Sequence, residues 1–254
     1  MKTHRSGLAL LALFIFCFGA CTANLELRKK QAEASRNLGE AYYNQENYTA
    51  ALREFLKAEQ IDPNDPFLHN DLGLTYKAKG KLDLAIKHFK KALELSPDYA
   101  DAMNNLGTAY LAQKEWDLAI AQFKEVTQNL LYATPYSPLS NLGLAYYHKG
   151  EYDVAVKYYK EALELEPKLI HALHGLARTY IAMGKISEAV KALETAIKEY
   201  PRLAPLYFDL ARAYALSHAY SKAFDAYQKV IELSPDTPLA RESQAEAQKI
   251  KLLK

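Results

Sequence analysis

Apolar residues recur at spacings of three and four along most of this chain, and the recurrence is itself periodic. Leu38, Leu72, Leu106, Leu142, Leu176 and Leu210 each open the pattern Leu-(Gly/Ala)-x-x-Tyr, which closes at Tyr42, Tyr76, Tyr110, Tyr146, Tyr180 and Tyr214. Nine residues after each Tyr stands an Ala (Ala51, Ala85, Ala119, Ala155, Ala189, Ala223), and four further on an aromatic residue or Leu. Within the first unit, Leu38, Tyr42, Ala51, Phe55 and Ala58 fall on one face of two successive helices. Small residues such as Gly39 and Ala51 let the paired helices approach closely, and Phe55 is placed to fill the gap toward the next unit. Pro63, Pro97, Pro167, Pro201 and Pro235 follow five of the six second helices and end them, because Pro cannot continue a helix. The period is 34 residues, with one step of 36 between the third and fourth units. A single hairpin of this kind cannot bury its own apolar face, whereas six stacked hairpins bury a continuous one.

This pattern resembles the tetratricopeptide repeat, a helix-turn-helix unit that stacks into a solenoid. The resemblance implies an all-α fold, a right-handed solenoid of six repeats at 32–65, 66–99, 100–135, 136–169, 170–203 and 204–237. Residues 238–254 read as a C-terminal capping helix with a polar outer face, which a solenoid needs over its last apolar surface. Residues 21–31 precede the repeats as a short tether, helical at Leu25-Glu26-Leu27-Arg28. Solenoids of this type are binding scaffolds, so candidate functional residues are sought along a groove.

The chain opens differently. Lys2 and Arg5 precede an uncharged apolar run from Leu8 to Phe18, too short to span a bilayer and suited to the core of a signal peptide. The run ends in Phe18-Gly19-Ala20-Cys21, which resembles the bacterial lipobox, with Phe18 where Leu is usual. Residues 1–20 are thus expected to be a lipoprotein signal peptide and Cys21 the lipidated residue. A cut after Ala23 by ordinary signal peptidase is the alternative. Cys17 would be discarded with the signal, leaving Cys21 as the single cysteine, so no internal disulfide is possible. Several acyl chains anchor a protein stably where one does not. Thr22 follows the cysteine where an Asp would signal inner-membrane retention, so the resemblance implies an outer-membrane anchor facing the periplasm.

Removing Lys2 and Arg5 takes 32 basic residues to 30, against 30 acidic ones. The near-neutral body has no basic stripe of the kind nucleic acid requires. No Ser-His-Asp set, Gly-rich phosphate loop or paired-carboxylate site stands out, so no enzyme, small-molecule substrate or cofactor is expected. His171 and His174, with His148 in the preceding unit, have spacings that mimic a metal site. No Cys or carboxylate completes the set, and no metal is expected there.

The stretched third boundary reads Asn129-Leu-Leu-Tyr-Ala-Thr-Pro-Tyr-Ser-Pro138. Together with the lipobox and six repeats, it resembles the type IV pilus biogenesis and stability lipoproteins, the PilF/PilW-like pilotins. That resemblance implies a non-enzymatic protein partner, a secretin, whose assembly in the outer membrane the scaffold promotes. A general periplasmic adaptor for peptidoglycan enzymes or outer-membrane assembly machinery remains the alternative. In tetratricopeptide stacks the first helix of each repeat lines the concave face through its second, fifth, ninth and twelfth positions. Carried onto this sequence, the groove comprises Tyr43, Phe67, Asn70, Lys77, Asn104, Tyr147, His171, His174, Arg178, Phe208 and Arg212. Aromatic residues and Arg suit anchoring, and side-chain amides suit a peptide backbone. Arg36 is followed by Glu40 where a carboxylate clamp would have Asn, which argues against recognition of a C-terminal carboxylate.

Overall fold

A computed structural model describes residues 26–129 and 132–252. The expected signal peptide and Cys21 lie outside the described residues. Thirteen helices and no strand are found among those described. The first, α1, runs over 26–44 without a break at residue 32, so the expected tether continues directly into the first repeat. It is followed by α2 (Tyr48–Ile61), α3 (Pro66–Ala78), α4 (Leu82–Leu95) and α5 (Ala100–Ala112). Next come α6 (Trp116–Gln128), α7 (Tyr136–Lys149), α8 (Tyr152–Leu165) and α9 (Ile170–Ala182). The chain finishes with α10 (Ile186–Glu199), α11 (Ala204–Leu216), α12 (Tyr220–Leu233) and α13 (Pro238–Lys251). Odd-numbered helices up to α11 open a repeat and even-numbered ones close it. No described helix is long and apolar enough to cross a membrane.

The described residues form two compact units that divide at the turn inside the third repeat, between Gln113 and Lys114. In both, consecutive helices pack on each other. Contacts that skip a helix are made by the opening helices, α3 with α5 in the first unit, and α7 with α9 and α9 with α11 in the second. The closing helices α8, α10 and α12 make no such contacts with one another. Opening helices are therefore the crowded, inner row of each unit, and their faces turned away from the closing helices form its inner, concave side.

The core follows the sequence period. Phe55, Phe89, Phe123, Tyr159, Leu193 and Tyr227 occupy one repeat position, and all are buried. Glycine opposite them makes room: a Cβ on Gly39 would lie 2.6 Å from the Phe55 ring, and one on Gly73 2.5 Å from Phe89. Phe55 also packs with Leu68 and Leu72 of the following repeat, so it bridges the seam as the pattern implies.

Each turn between paired helices needs one residue with positive φ. Glycine fills it at Gly80 (70°), Gly150 (78°) and Gly184 (72°), and Glu46 (58°), Lys114 (64°) and His218 (58°) fill it in the other repeats. The left-handed conformation reverses the chain within a residue or two, and it suits glycine because there is no Cβ to clash. The extra residues of the 36-residue step fall in the α6–α7 connection, 129–135, where other repeats use four residues such as 96–99. In α13, Ala240, Ser243, Ala247 and Ile250 are buried, and Ala247 and Ile250 join Ala211, Ala223, Ala226 and Tyr227 in one cluster. The cap covers the last repeat as expected.

Candidate functional site

The inner faces of the two units carry different chemistry. In the first unit the site begins with Asp65, which caps α3. Its Oδ1 accepts the Phe67 backbone N–H at 2.8 Å, and Pro66 at the first helical position has no N–H to satisfy. The other oxygen of Asp65 accepts from Arg36 Nη1 at 2.9 Å, tying the start of α3 to α1. Arg36 Nε donates to Glu40 Oε1 at 3.1 Å and stands 3.8 Å from Asp71 Oδ2. The guanidinium also lies 5.6 Å from the centroid of Phe67, which packs edge-on against Tyr99. One cation is thus surrounded by three carboxylates.

Asp71 is the strained member of this group. Its Oδ2 is buried and has no hydrogen-bond partner among the described residues. Burial first, and the Glu40 charge second, push its carboxyl up to about 7, although Arg36 pulls the other way. Asp71, Glu40, Tyr43, Asn44, Phe55 and Leu74 line a cavity of about 260 Å³. A donor group entering there, an ammonium or an amide N–H, would give Asp71 Oδ2 a hydrogen bond. Burial, with Asp71 second, also pushes the Tyr99 hydroxyl up to about 12.

In the second unit the arrangement is reversed. Asp209 on α11 is 5% exposed. It lies 2.7 Å from His174 Nε2 and 3.3 Å from Arg212 Nη1, with Arg178 Nε at 3.9 Å. Arg178 and Arg212 leave 47% and 50% of their side chains exposed, so both can reach a partner. The Arg178 guanidinium sits 5.5 Å over the Tyr147 ring, and Phe208 packs edge-on against Tyr227. Beneath them Tyr159 fills the space left by Gly143 and Gly175, where a Cβ would come within 2.7 Å and 2.4 Å of its ring. Burial raises the pKa of the Tyr159 hydroxyl.

The expected groove residues fare unevenly. In the first unit Phe67 lies against Arg36 and Tyr43 lines the cavity; in the second Arg178 and Arg212 flank Asp209, Tyr147 lies under Arg178, and Phe208 packs on Tyr227. His171 is exposed, and Asn104 is half-buried on the inner row. Asn70 is a correction: it is 5% exposed, and its Oδ1 accepts from Asn105 Nδ2 at 2.9 Å across the α3–α5 seam. Its carbonyl oxygen is thus engaged inside the stack. Lys77 is also drawn inward, donating to Thr108 Oγ1 at 2.7 Å, and burial lowers its amine. His148, His171 and His174 do not converge, because His148 stacks 4.6 Å from Trp116 and His174 is paired with Asp209. Burial, then the Arg178 charge, lowers the His148 imidazole. The residues missed in the sequence are Asp65, Asp71 and Asp209. Asp71 and Asp209 both occupy the sixth repeat position, which the four expected groove positions pass over.

Models of the tetratricopeptide repeat match residues 39–80, 73–114, 146–207 and 204–237. A stretch of 60 residues is 40% identical to the DnaJ homolog subfamily C member 3 homolog of Dictyostelium discoideum, covering 24% of this chain and 12% of that protein. The solved structure of Pseudomonas aeruginosa PilF is 22% identical, with a TM-score of 0.73, over 86% of this chain and 99% of that one. PilW, described as a widely conserved type IV pilus biogenesis factor, is 21% identical with a TM-score of 0.79, over 83% of this chain and 97% of that one. These two likenesses establish the fold.

Proposed function

We propose that this chain, a tetratricopeptide-repeat protein, is a non-enzymatic docking scaffold of type IV pilus biogenesis that binds a secretin and promotes its assembly in the outer membrane. The observation that carries the proposal is the agreement of fold with PilF and PilW across 97–99% of those two chains. The inner faces supply the means. The first-unit cavity offers carboxylates to basic or amide donors of a partner, and Arg178 and Arg212 of the second unit offer exposed cations to its carboxylates or carbonyls. Tyr147 and Phe208 add aromatic anchors of the type that dominate binding energy. Lipid on Cys21 would hold the scaffold at the outer membrane, facing the periplasm.

The test is affinity capture from envelope extracts with the lipidated protein as bait. Co-purification of a secretin supports the proposal, whereas recovery of peptidoglycan enzymes without a secretin moves the function to a general periplasmic adaptor. Cys21→Ser should release the protein from membranes with its helicity unchanged. A Cys21→Ser protein that still sediments with the outer membrane would exclude lipid as the anchor.

A further inference from the structure

Away from the inner faces, three side chains from three helices of the first unit converge: Glu59 on α2, His69 on α3 and His88 on α4. The Nδ1 atoms of the two histidines are 3.1 Å apart, and Glu59 Oε1 lies 3.8 Å from His69 Nδ1. One ligand atom from each residue falls within 4.8 Å of both others. His69 is 4% exposed, and its Nε2 lies 2.9 Å from the Pro63 carbonyl oxygen. That carbonyl can only accept, so Nε2 carries the proton and Nδ1 presents a lone pair to the cluster. Without a metal the facing nitrogens share one proton, His88 Nδ1–H donating to His69 Nδ1, and the carboxylate stands beyond hydrogen-bond reach of His69.

At the same repeat positions elsewhere no seam carries a metal-ligating set. Between the fourth and fifth repeats the equivalent residues are Leu163, Leu173 and Ala192, and these belong to one apolar cluster. Between the fifth and sixth they are Ile197, Tyr207 and Ala226, and Tyr207 donates to the Pro201 carbonyl at 3.0 Å as His69 does to Pro63, without a second imidazole or a carboxylate at the other two positions. Of the seams between repeats, that between the first and second is the one whose sequence puts three metal-ligand side chains at these positions.

We propose that Glu59, His69 and His88 bind one divalent transition-metal ion, zinc by preference, and so clamp α2, α3 and α4 together. Tetrahedral zinc with bonds of about 2.0–2.2 Å places its ligand atoms about 3.4 Å apart, between the two observed separations. Imidazole and carboxylate ligands suit zinc and its neighbours, whereas magnesium prefers an all-oxygen octahedron. The Pro63 carbonyl is the outer partner that metal-bound histidines characteristically have, holding the His69 ring in its ligating tautomer. His88 joins by carrying its proton on Nε2, which frees Nδ1. The fourth position is left for water.

The test is zinc titration of the purified, untagged protein by calorimetry, with thermal melts in zinc, in magnesium and in chelator. One zinc per chain is expected, with a rise in Tm of about 5–10 °C at a hundredfold excess over Kd, and no rise with magnesium. His88→Ala and Glu59→Gln should each weaken zinc binding about tenfold or more, while a His171→Ala/His174→Ala double variant binds as the wild type does. His69→Leu restores the residue found at Leu139 and Leu173, so it should fold and lose the metal. Absence of zinc binding to the wild type, or wild-type affinity in both His88→Ala and Glu59→Gln, would overturn the proposal.

Discussion

Asp71 and Asp209 occupy the same position in the second and sixth repeats, yet their surroundings are opposite. Each looks back onto two side chains of the preceding repeat, Arg36 and Glu40 for Asp71, His174 and Arg178 for Asp209. Each also has a neighbour three residues on, Leu74 for the first and Arg212 for the second. Arginines stand at Arg178 and Arg212 where Glu40 and Leu74 stand in the other site, and with His174 they surround Asp209 with three nitrogen groups. The repeat fixes where the carboxylate stands, and the two ninth positions decide what it does. One architecture therefore gives an acid-rich pocket in one unit and an arginine-rich face in the other.

The strongest disruption of this comparison is on the arginine side. Changing Tyr147, Arg178 and Phe208 together to Ala should lower partner affinity more than a hundredfold, since each anchor contributes about 2 kcal/mol at a packed interface. Titration of the purified partner checks this, at a temperature where the triple variant is folded, since losing the Phe208–Tyr227 contact and the Arg178–Asp209 pair also lowers its Tm. Asp209→Asn comes next. Losing the charge shared by His174, Arg178 and Arg212 should cost about 3 kcal/mol of stability, read by denaturant titration.

The same substitution at Asp71 should have the opposite sign. Its carboxyl titrates near 7 in the folded chain and near 3.9 when unfolded. Between those values the unfolded chain has released a proton that the folded chain keeps, so stability falls as pH rises through about 4 to 7 and is level above. Asp71→Asn removes that loss. It should leave stability nearly unchanged at pH 4 and raise it by about 2 kcal/mol at pH 8, measured by melts at both pH values. A destabilised Asp71→Asn at pH 8 would remove the contrast between the two acids. The smallest effect concerns the turns: Glu46→Gly relieves a left-handed non-glycine residue and should add about 0.5–1 kcal/mol, visible as a small upward shift in Tm.

Much of this was legible in the sequence for a simple reason. Leu38, Ala51 and Phe55 and their counterparts recur because every repeat solves the same packing problem, so period, helices and cap could be read directly. Individual surface roles are not periodic. Asn70 sits at a nominal groove position but is claimed by Asn105, a partner in the next repeat that spacing along one helix does not reveal. Asp71 and Asp209 owe their characters to residues about 30 positions earlier. Glu59, His69 and His88 come from three helices at uneven separations, so no short motif announces them. The left-handed turns at Glu46 and His218 lack the glycine that marks the position elsewhere.

The most direct test of the account is the amount of heat-resistant secretin multimer in cells lacking this protein and complemented either with the wild type or with the Tyr147, Arg178 and Phe208 triple alanine variant. The account expects multimers with the wild type only, with secretin monomer still made in all strains and surface pili lost wherever multimers are. Normal multimers with the triple variant would show that the second-unit face is not the docking surface, and normal multimers in the strain lacking the protein altogether would contradict the proposed function itself.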